Sequence, residues 1–308
     1  MSLRSILGDY LSVRRSLGYK LKDEGHLLSD FVAHVERSGA SFITTLLALA
    51  WASRVGVTVN RQAKRLSVVR SFAKYVRTLD PRTEIPPPDL LPLHQSRTTP
   101  YLYSDEDVQG LITAARDLHG RLRSFTYVTL IGLLATTGIR VGEAIALDCS
   151  DVDWRDGLLV IRQGKLRKSR EVALHPTTKA VLETYRHERD RVFPRSRAVS
   201  FFVSEGGTRL LRQNVHATIF GLIDQAGLAG RSPRRPRIHD LRHSFAVRTL
   251  VNWYQAKLDV EYRLPLLSTY LGHVSPASTY WYLTATPDLL DRAAARFQPL
   301  PSCGEVQP

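Results

Sequence analysis

Arg140, Lys165, His239, Arg242, His273 and Tyr282 stand in five short words of the C-terminal two-thirds of the sequence. The words are Thr-Gly-Ile-Arg-Val-Gly-Glu (137–143), Gly-Lys (164–165), His-Asp-Leu-Arg-His (239–243), Leu-Gly-His (271–273) and the tyrosine at 282. Together these side chains can grip a phosphodiester, supply protons to it and attack it, with no metal ion required.

Each word also has a plainer reading. Arg140 follows an apolar stretch, and its guanidinium can hold two phosphate oxygens through paired, charge-assisted hydrogen bonds. Glu143, three residues on, can fix that arginine from behind, or the two can be a surface ion pair on one helical turn. Lys165 lies in the polar turn between two strand-like segments, where a solvated charge run is the plainer alternative and Lys168 is a rival. His239 and Arg242 lie three apart at a helix start and share a face, with Leu241 and Phe245 pointing away as anchors. His243 reads as a packing or capping residue. His273 can donate to a phosphate oxygen, and Gly272 before it permits a close approach. Tyr282 is a weak nucleophile on its own, because an ordinary tyrosine ionises near pH ~10. Clustered cations would stabilise its ionised form. Most tyrosines in aromatic stretches such as Ser278–Tyr282 are packing residues, so its position after His273 is what singles it out.

Competing chemistries have less support. No Cys/His words have zinc-site spacing, and no Walker-type glycine loop occurs. Asp148, Asp151, Asp153 and Asp156 come closest to a two-metal carboxylate cluster, but they read as turn residues. Neither a metal nor a cofactor is expected.

The bulk properties fit a polyanionic partner. The 308 residues carry 43 Lys+Arg against 29 Asp+Glu, a formal charge of +14. Such a field attracts nucleic acid first and an anionic membrane surface second, although charge alone does not exclude a basic protein with neither role. Cys149 and Cys303 are too far apart to be a disulfide framework, which fits a reducing interior. The N-terminus lacks the apolar core of a signal peptide. The longest apolar run, Phe42–Ala52, falls short of the roughly 18 residues of a membrane span.

These residues need elements to position them. Six prolines between Asp80 and Pro100 rule out a continuous helix or central strand, and the segment reads as an extended interdomain linker. The expected organisation is a helical domain over 1–80, a linker over 81–100 and a second domain over 101–308. Leu3–Leu17, Leu21–Arg37, Thr44–Arg54 and Thr58–Leu79 read as the helices of the first domain. In the last of these, Leu66, Val69, Phe72, Ala73 and Val76 recur at helical spacing. Lys64, Arg70, Lys74 and Arg77 fall off that face, forming either a solvated surface or a DNA-facing one.

After the linker, Ser104 caps a helix that opens on three acidic residues. Phe125–Thr136 predicts an apolar helix, and Leu158–Arg162 and Arg170–Leu174 predict a hairpin. Ser200–Ser204 is a candidate further strand. Thr177–Val192, Asn214–Ala226, Asp240–Gln255, Leu264–Leu271 and Pro287–Phe297 read as helices. The fold class is mainly α with a small antiparallel β-sheet.

The five words, in this order and spacing, resemble the tyrosine recombinase (phage integrase) family of site-specific DNA recombinases, and the resemblance covers essentially the whole second domain. It implies an N-terminal helical core-binding domain and a C-terminal α+β catalytic domain that close as a clamp on duplex DNA. By resemblance, Arg140 and Arg242 hold the scissile phosphate, and Lys165 protonates the departing 5′ oxygen. His239 assists proton transfer or orients the phosphate, and His273 donates a hydrogen bond to it. Tyr282 attacks to give a 3′-phosphotyrosyl link. Two rounds of exchange would pass through a Holliday junction, in a homo-tetramer on two double-stranded DNA sites, alone or with sister recombinases. The helix after the nucleophile would pack on a neighbouring protomer. The setting implied is integration, excision or transposition of a mobile element, in a bacterial cytoplasm at the nucleoid, with no membrane role. Lys64, Arg70, Lys74, Arg77, Arg162, Arg167, Lys168, Arg234, Arg235 and Arg237 are the candidate DNA-binding residues.

The sequence departs from the family in two places: Tyr254–Arg263 look like extra residues before Leu-Gly-His, and Tyr280 lies two residues before Tyr282. Tyr282, rather than Tyr280, stands at the family's usual offset. The competing readings are a type IB topoisomerase or telomere resolvase with the same site, and a DNA-binding accessory protein.

Overall fold

The computed structural model describes residues 2–91, 99–162, 169–194, 199–273, 275 and 277–284. The chain divides into two compact units, Met1–Thr98 and Thr99–Pro308.

The first unit is four helices: α1 (Leu3–Ser16), α2 (Lys22–Arg37), α3 (Thr45–Ala52) and α4 (Val59–Arg77). Ser2 caps α1 by accepting from the Ser5 amide at 3.2 Å, and Thr44 caps α3 through the Leu47 amide at 3.2 Å. The expected face of α4 is buried at all five positions, against Phe31, Val35 and Trp51. Phe31 meets Trp51 edge-on, with ring centroids 5.2 Å apart. Burying each such aromatic stabilises the unit by about 2–3 kcal/mol over leaving it in water.

The first part of the proline segment is packed against this unit. The Glu84 amide donates to the Ile43 carbonyl at 2.8 Å, and its carboxylate caps α3 at the Thr45 amide. Arg70 donates to the carbonyls of Pro86 (2.7 Å), Pro87 (2.7 Å) and Pro88 (3.2 Å). A proline run offers carbonyls but no amide donors, and a guanidinium on the neighbouring helix satisfies them.

The second unit is built around α6 (Arg121–Thr137), which buries a broad face that includes Leu122, Tyr127, Leu130, Ile131, Leu133 and Leu134. Helix α5 (Asp105–Arg116), capped by Ser104 and Asp107, packs on it, as does α8 (Pro176–Val192). Strands β1 (Val152–Asp153), β2 (Leu158–Ile161) and β3 (Arg170–Ala173) form an antiparallel sheet in that order. Leu159 pairs with Val172, and both are buried. Ser200–Ser204 does not form a strand; it carries only single bridges, Asp148 to Ser200 and Val203 to Arg209. Phe201 and Phe202 are consecutive and both fully buried, whereas a two-faced strand needs alternation.

Helices α7 (Val141–Ala146), α9 (Arg212–Gln225), α10 (Asp240–Gln255) and α11 (Val260–Leu271) complete the frame. α11 starts four residues before the expected Leu264. Asp259 caps it through the Tyr262 amide at 3.0 Å, and the helix runs through Pro265. The apparent extra residues 254–263 are thus the end of α10, a turn with Lys257 at φ +53°, and the first turn of α11. A short helix α12 (Ala277–Tyr280) and a 3₁₀ turn over Trp281–Thr284 follow. Among the described residues, no helix is long and apolar enough to cross a membrane. The expected helix Pro287–Phe297 lies outside the described residues.

Candidate active site

Gly138 ends α6 in the left-handed conformation (φ +62°), and Gly272 ends α11 the same way (φ +67°). Glycine is the residue that takes this conformation without steric cost. These two helix ends lie together, and the arginines of the site are held between them. Arg242, on the first turn of α10 and 2% exposed, donates from Nη1 to the Gly138 carbonyl at 2.7 Å and from Nη2 to the Leu271 carbonyl. Arg140, at the start of α7, donates from Nη2 to the Gly272 carbonyl at 2.9 Å and from Nη1 to Glu143 at 2.7 Å. Glu143 also accepts from the Arg140 amide at 2.9 Å. Burial alone pushes this carboxyl up, but Arg170 and Arg140 outweigh it and hold the group at about 2.

The tyrosine comes to the same place. Tyr282 is 2% exposed, with its ring stacked on His273 (5.9 Å between centroids) and tilted against His243 (5.5 Å). Burial raises its ionisation above the ordinary value, while Arg242 and Arg140 pull the other way. Tyr280, two residues earlier, is 52% exposed. His273 shares a 2.7 Å hydrogen bond through Nδ1 with Thr279, a fully buried hydroxyl. Burial, then Arg242 and Arg140, lower His273 to about 4. His239 is lowered by burial and by Arg242, so both imidazoles are neutral at pH 7. Burial and His239 lower His243 to about 4, and its ring packs between His239 and Trp281. The same burial and neighbouring cations bring Arg242 down to about 10, which leaves it charged at neutral pH.

The structure therefore brings together Arg140, Glu143, His239, Arg242, His273 and Tyr282. Lys165, with Arg167 and Lys168, lies outside the described residues. The candidate DNA contacts divide. Lys64, Lys74 and Arg77 are exposed on α4. Arg70 has its guanidinium committed to the proline carbonyls. Arg235 likewise lies over the Phe220 ring (3.5 Å) and pairs with Asp224 at 2.6 Å. Arg237 pairs with Asp240 at 2.9 Å, and Arg162 pairs with Asp151. Each of these holds a carboxylate or carbonyl that would otherwise be left short of a donor, so it is not an unengaged cation. Arg234 also has an interaction within the protein.

A family model described as the phage integrase family matches residues 102–288. The chain belongs to the phage integrase family. The match spans all five words. Among curated relatives, the integrase/recombinase y4rB of Sinorhizobium fredii is 44% identical over 305 residues, covering 96% of this chain and 97% of that protein. The tyrosine recombinase XerD of Oceanobacillus iheyensis is 30% identical over 231 residues, covering 73% and 71%. Two solved structures share the fold. The Tn1549 transposon integrase in complex with transposon right-end DNA has a TM-score of 0.66 at 14% identity, covering 96% of this chain and 98% of that one. A lambda integrase tetramer bound to a Holliday junction has a TM-score of 0.61 at 18% identity, covering 90% and 78%. As a member of this family, the chain is a tyrosine-type site-specific recombinase.

One side chain of this integrase-family site is not apparent from the sequence. Arg170 opens β3 and reaches Glu143 with both terminal nitrogens. It is hidden as the last residue of the basic run 162–170. The signal for it is strand alternation: Arg170 shares a face with buried Val172. Thr279 is equally inconspicuous. A threonine three residues before Tyr282 carries no sequence mark of its contact with His273.

Proposed function

We propose that this protein cleaves and rejoins duplex DNA through a 3′-phosphotyrosyl intermediate. The observation that supports this most is the gathering of Arg140, Arg242, His239, His273 and Tyr282 from four separate elements around one point. Arg140 and Arg242 neutralise the non-bridging oxygens of the scissile phosphate, and His273 donates to one of them. The Tyr282 oxygen attacks phosphorus as its proton passes to His239, which is neutral and so able to accept it. The P–O5′ bond breaks, and the 5′ oxygen takes a proton from Lys165. The phosphotyrosyl ester conserves the bond energy, so a partner strand's 5′ hydroxyl reverses the step with no added energy source.

Two such exchanges, in a tetramer on two sites, would pass through a Holliday junction. The similar structures are a transposon integrase on transposon-end DNA and a lambda integrase tetramer on a Holliday junction. They support a role in integrating, excising or transposing a mobile element.

The test starts from a randomised duplex library carrying a nick, enriched through adducts of wild-type protein that survive detergent. Wild type should yield adducts on the enriched duplex, Tyr280→Phe should retain them, and Tyr282→Phe should give none. No adduct from wild type, or adducts from Tyr282→Phe, would overturn the assignment. Strand exchange between two copies of the duplex separates a recombinase from a relaxing topoisomerase.

A further inference from the structure

Three successive carbonyls at the end of α11 are each taken by a different arginine. Tyr270 O accepts from Arg170 Nε at 2.7 Å, Leu271 O from Arg242, and Gly272 O from Arg140 at 2.9 Å. A helix C-terminus leaves its last carbonyls without intrahelical partners, and here arginines supply them. The three arginines are not equivalent. Arg170 has all three nitrogens engaged: Nε on Tyr270 O, Nη1 on Glu143 at 3.1 Å and Nη2 on Glu143 at 2.8 Å. This is the paired geometry that only a guanidinium offers a carboxylate. A side chain so fully committed holds other groups in place and has little left for a substrate.

What it holds is the machinery itself. Glu143 is clasped between Arg170 and Arg140, so the position of the first guanidinium fixes the second through one shared carboxylate. On its other side, the Arg170 guanidinium lies close against Gly272. A Cβ at 272 would come within 2.8 Å of Nη1 and 3.0 Å of Cζ. The glycine of the Leu-Gly-His word is therefore required twice, for its backbone conformation and for the arginine beside it. The next residue is His273.

We infer that Arg170 is a positioning residue for DNA cleavage: it sets Arg140 through Glu143, and His273 through the Tyr270–Gly272 backbone, without touching the phosphate. The inference rests on the cleavage reading above. Displacing a phosphate ligand by about 1 Å costs on the order of 10²-fold in rate, so Arg170→Ala should slow single-turnover cleavage by about that factor.

The experiment uses full-length protein on the enriched nicked duplex. It measures the cleavage rate at saturating protein and, separately, the Kd for the duplex. For Arg170→Ala, the rate should fall about 10²-fold while the Kd stays within a few-fold of wild type. The same change made in an Arg140→Ala background should have a clearly smaller effect than in wild type, because one of the two groups it positions is already gone and only the His273 route remains. Arg170→Lys keeps the charge but loses the paired geometry, so it should resemble Arg170→Ala in rate, and it serves in its place if the alanine variant does not fold.

Three results would overturn the inference. One is wild-type cleavage by a folded Arg170 variant. Another is a full multiplication of the Arg170 and Arg140 losses, which would show that Arg170 does not act through Arg140. The third is a loss confined to Kd. A wild-type protein that forms no adduct at all would instead sink the cleavage reading, so the two failures are distinguishable.

Discussion

Gly138→Ala offers a direct measure of how tightly the site is built. Gly138 has φ +62°, and a Cβ there would lie 2.4 Å from Phe245 Cδ1, 2.9 Å from its Cγ and 3.2 Å from a Leu271 methyl. Two costs follow. A side chain in the left-handed conformation loses about 1–2 kcal/mol, and overpacking against the Phe245 ring, which is stacked on Tyr270, loses about 1–3 kcal/mol. The sum is about 2–5 kcal/mol. For a unit of this size, each kcal/mol moves Tm by about 2–4 °C, so the second unit should melt about 4–20 °C lower.

The control is on the same helix. Gly132 lies in the interior of α6, and a Cβ there meets nothing within 4 Å. Gly132→Ala should stabilise by about 0.5–1 kcal/mol, as glycine is the poorer helix former. Scanning calorimetry of both variants makes the comparison. The Gly138 carbonyl also receives Arg242, so adduct formation by Gly138→Ala should fall at least about 10-fold even at temperatures where it is folded. If Gly138→Ala melts within a degree of Gly132→Ala, the close packing of α6, Phe245 and α11 is incorrect.

Three further outcomes are expected. If Lys165 protonates the leaving oxygen, Lys165→Ala should cleave ordinary DNA poorly and DNA with a bridging 5′ sulfur normally, since a thiolate leaves without a proton; equal defects on both substrates would remove the lysine from that role. His34, His216, His239, His243 and His273 all ionise below the ordinary histidine value in the fold, so the unfolded chain binds more protons. Stability should then be full above pH ~6.5 and fall as pH drops from there towards ~4, and a Tm that is flat between pH ~7 and ~5 would contradict this. Lys64→Ala, Lys74→Ala and Arg77→Ala should each flatten the log–log salt dependence of DNA binding by ~0.9 for every phosphate left without its cation, whereas Arg70→Ala should lower the Tm of the first unit and leave that slope in place.

The helices of both units are readable because their signals are local. Periodic apolar residues, the Ser104 cap and the Gly138 and Gly272 stops all lie within one turn of what they specify. Arg140, His239, Arg242, His273 and Tyr282, which the fold brings together, are readable because their spacing matches a known family. What the sequence hides is pairing across distance. Arg70, Arg235 and Arg237 have the composition of a DNA-binding run, yet each is already engaged by a carbonyl or carboxylate brought in by folding. Arg170 is hidden by the reverse effect, as a charged residue in a basic run that turns inward. Ser200–Ser204 misleads because two adjacent buried phenylalanines imitate a strand in composition but not in alternation.

The charge at the site suits a transition state better than a resting substrate. Arg140, Arg170 and Arg242 contribute three positive charges and Glu143 one negative, a net of +2 from three minus one. A phosphodiester carries one negative charge. The five-coordinate state formed when a phenolate adds to it carries two. Cations fixed before the reaction stabilise the second charge more than they stabilise the first, and that difference is what accelerates a step. Holding three like charges together needs counterweights that do not neutralise them. The α11 carbonyls provide these as partial negative charges at a helix end, and Glu143 adds a full one where two of the guanidiniums meet. Replacing Glu143 with Gln would raise the net charge by one, yet cleavage should slow, because the neutral amide cannot clasp Arg140 and Arg170 together. A faster Glu143→Gln enzyme would show that total charge, rather than the placement of the arginines, governs the site.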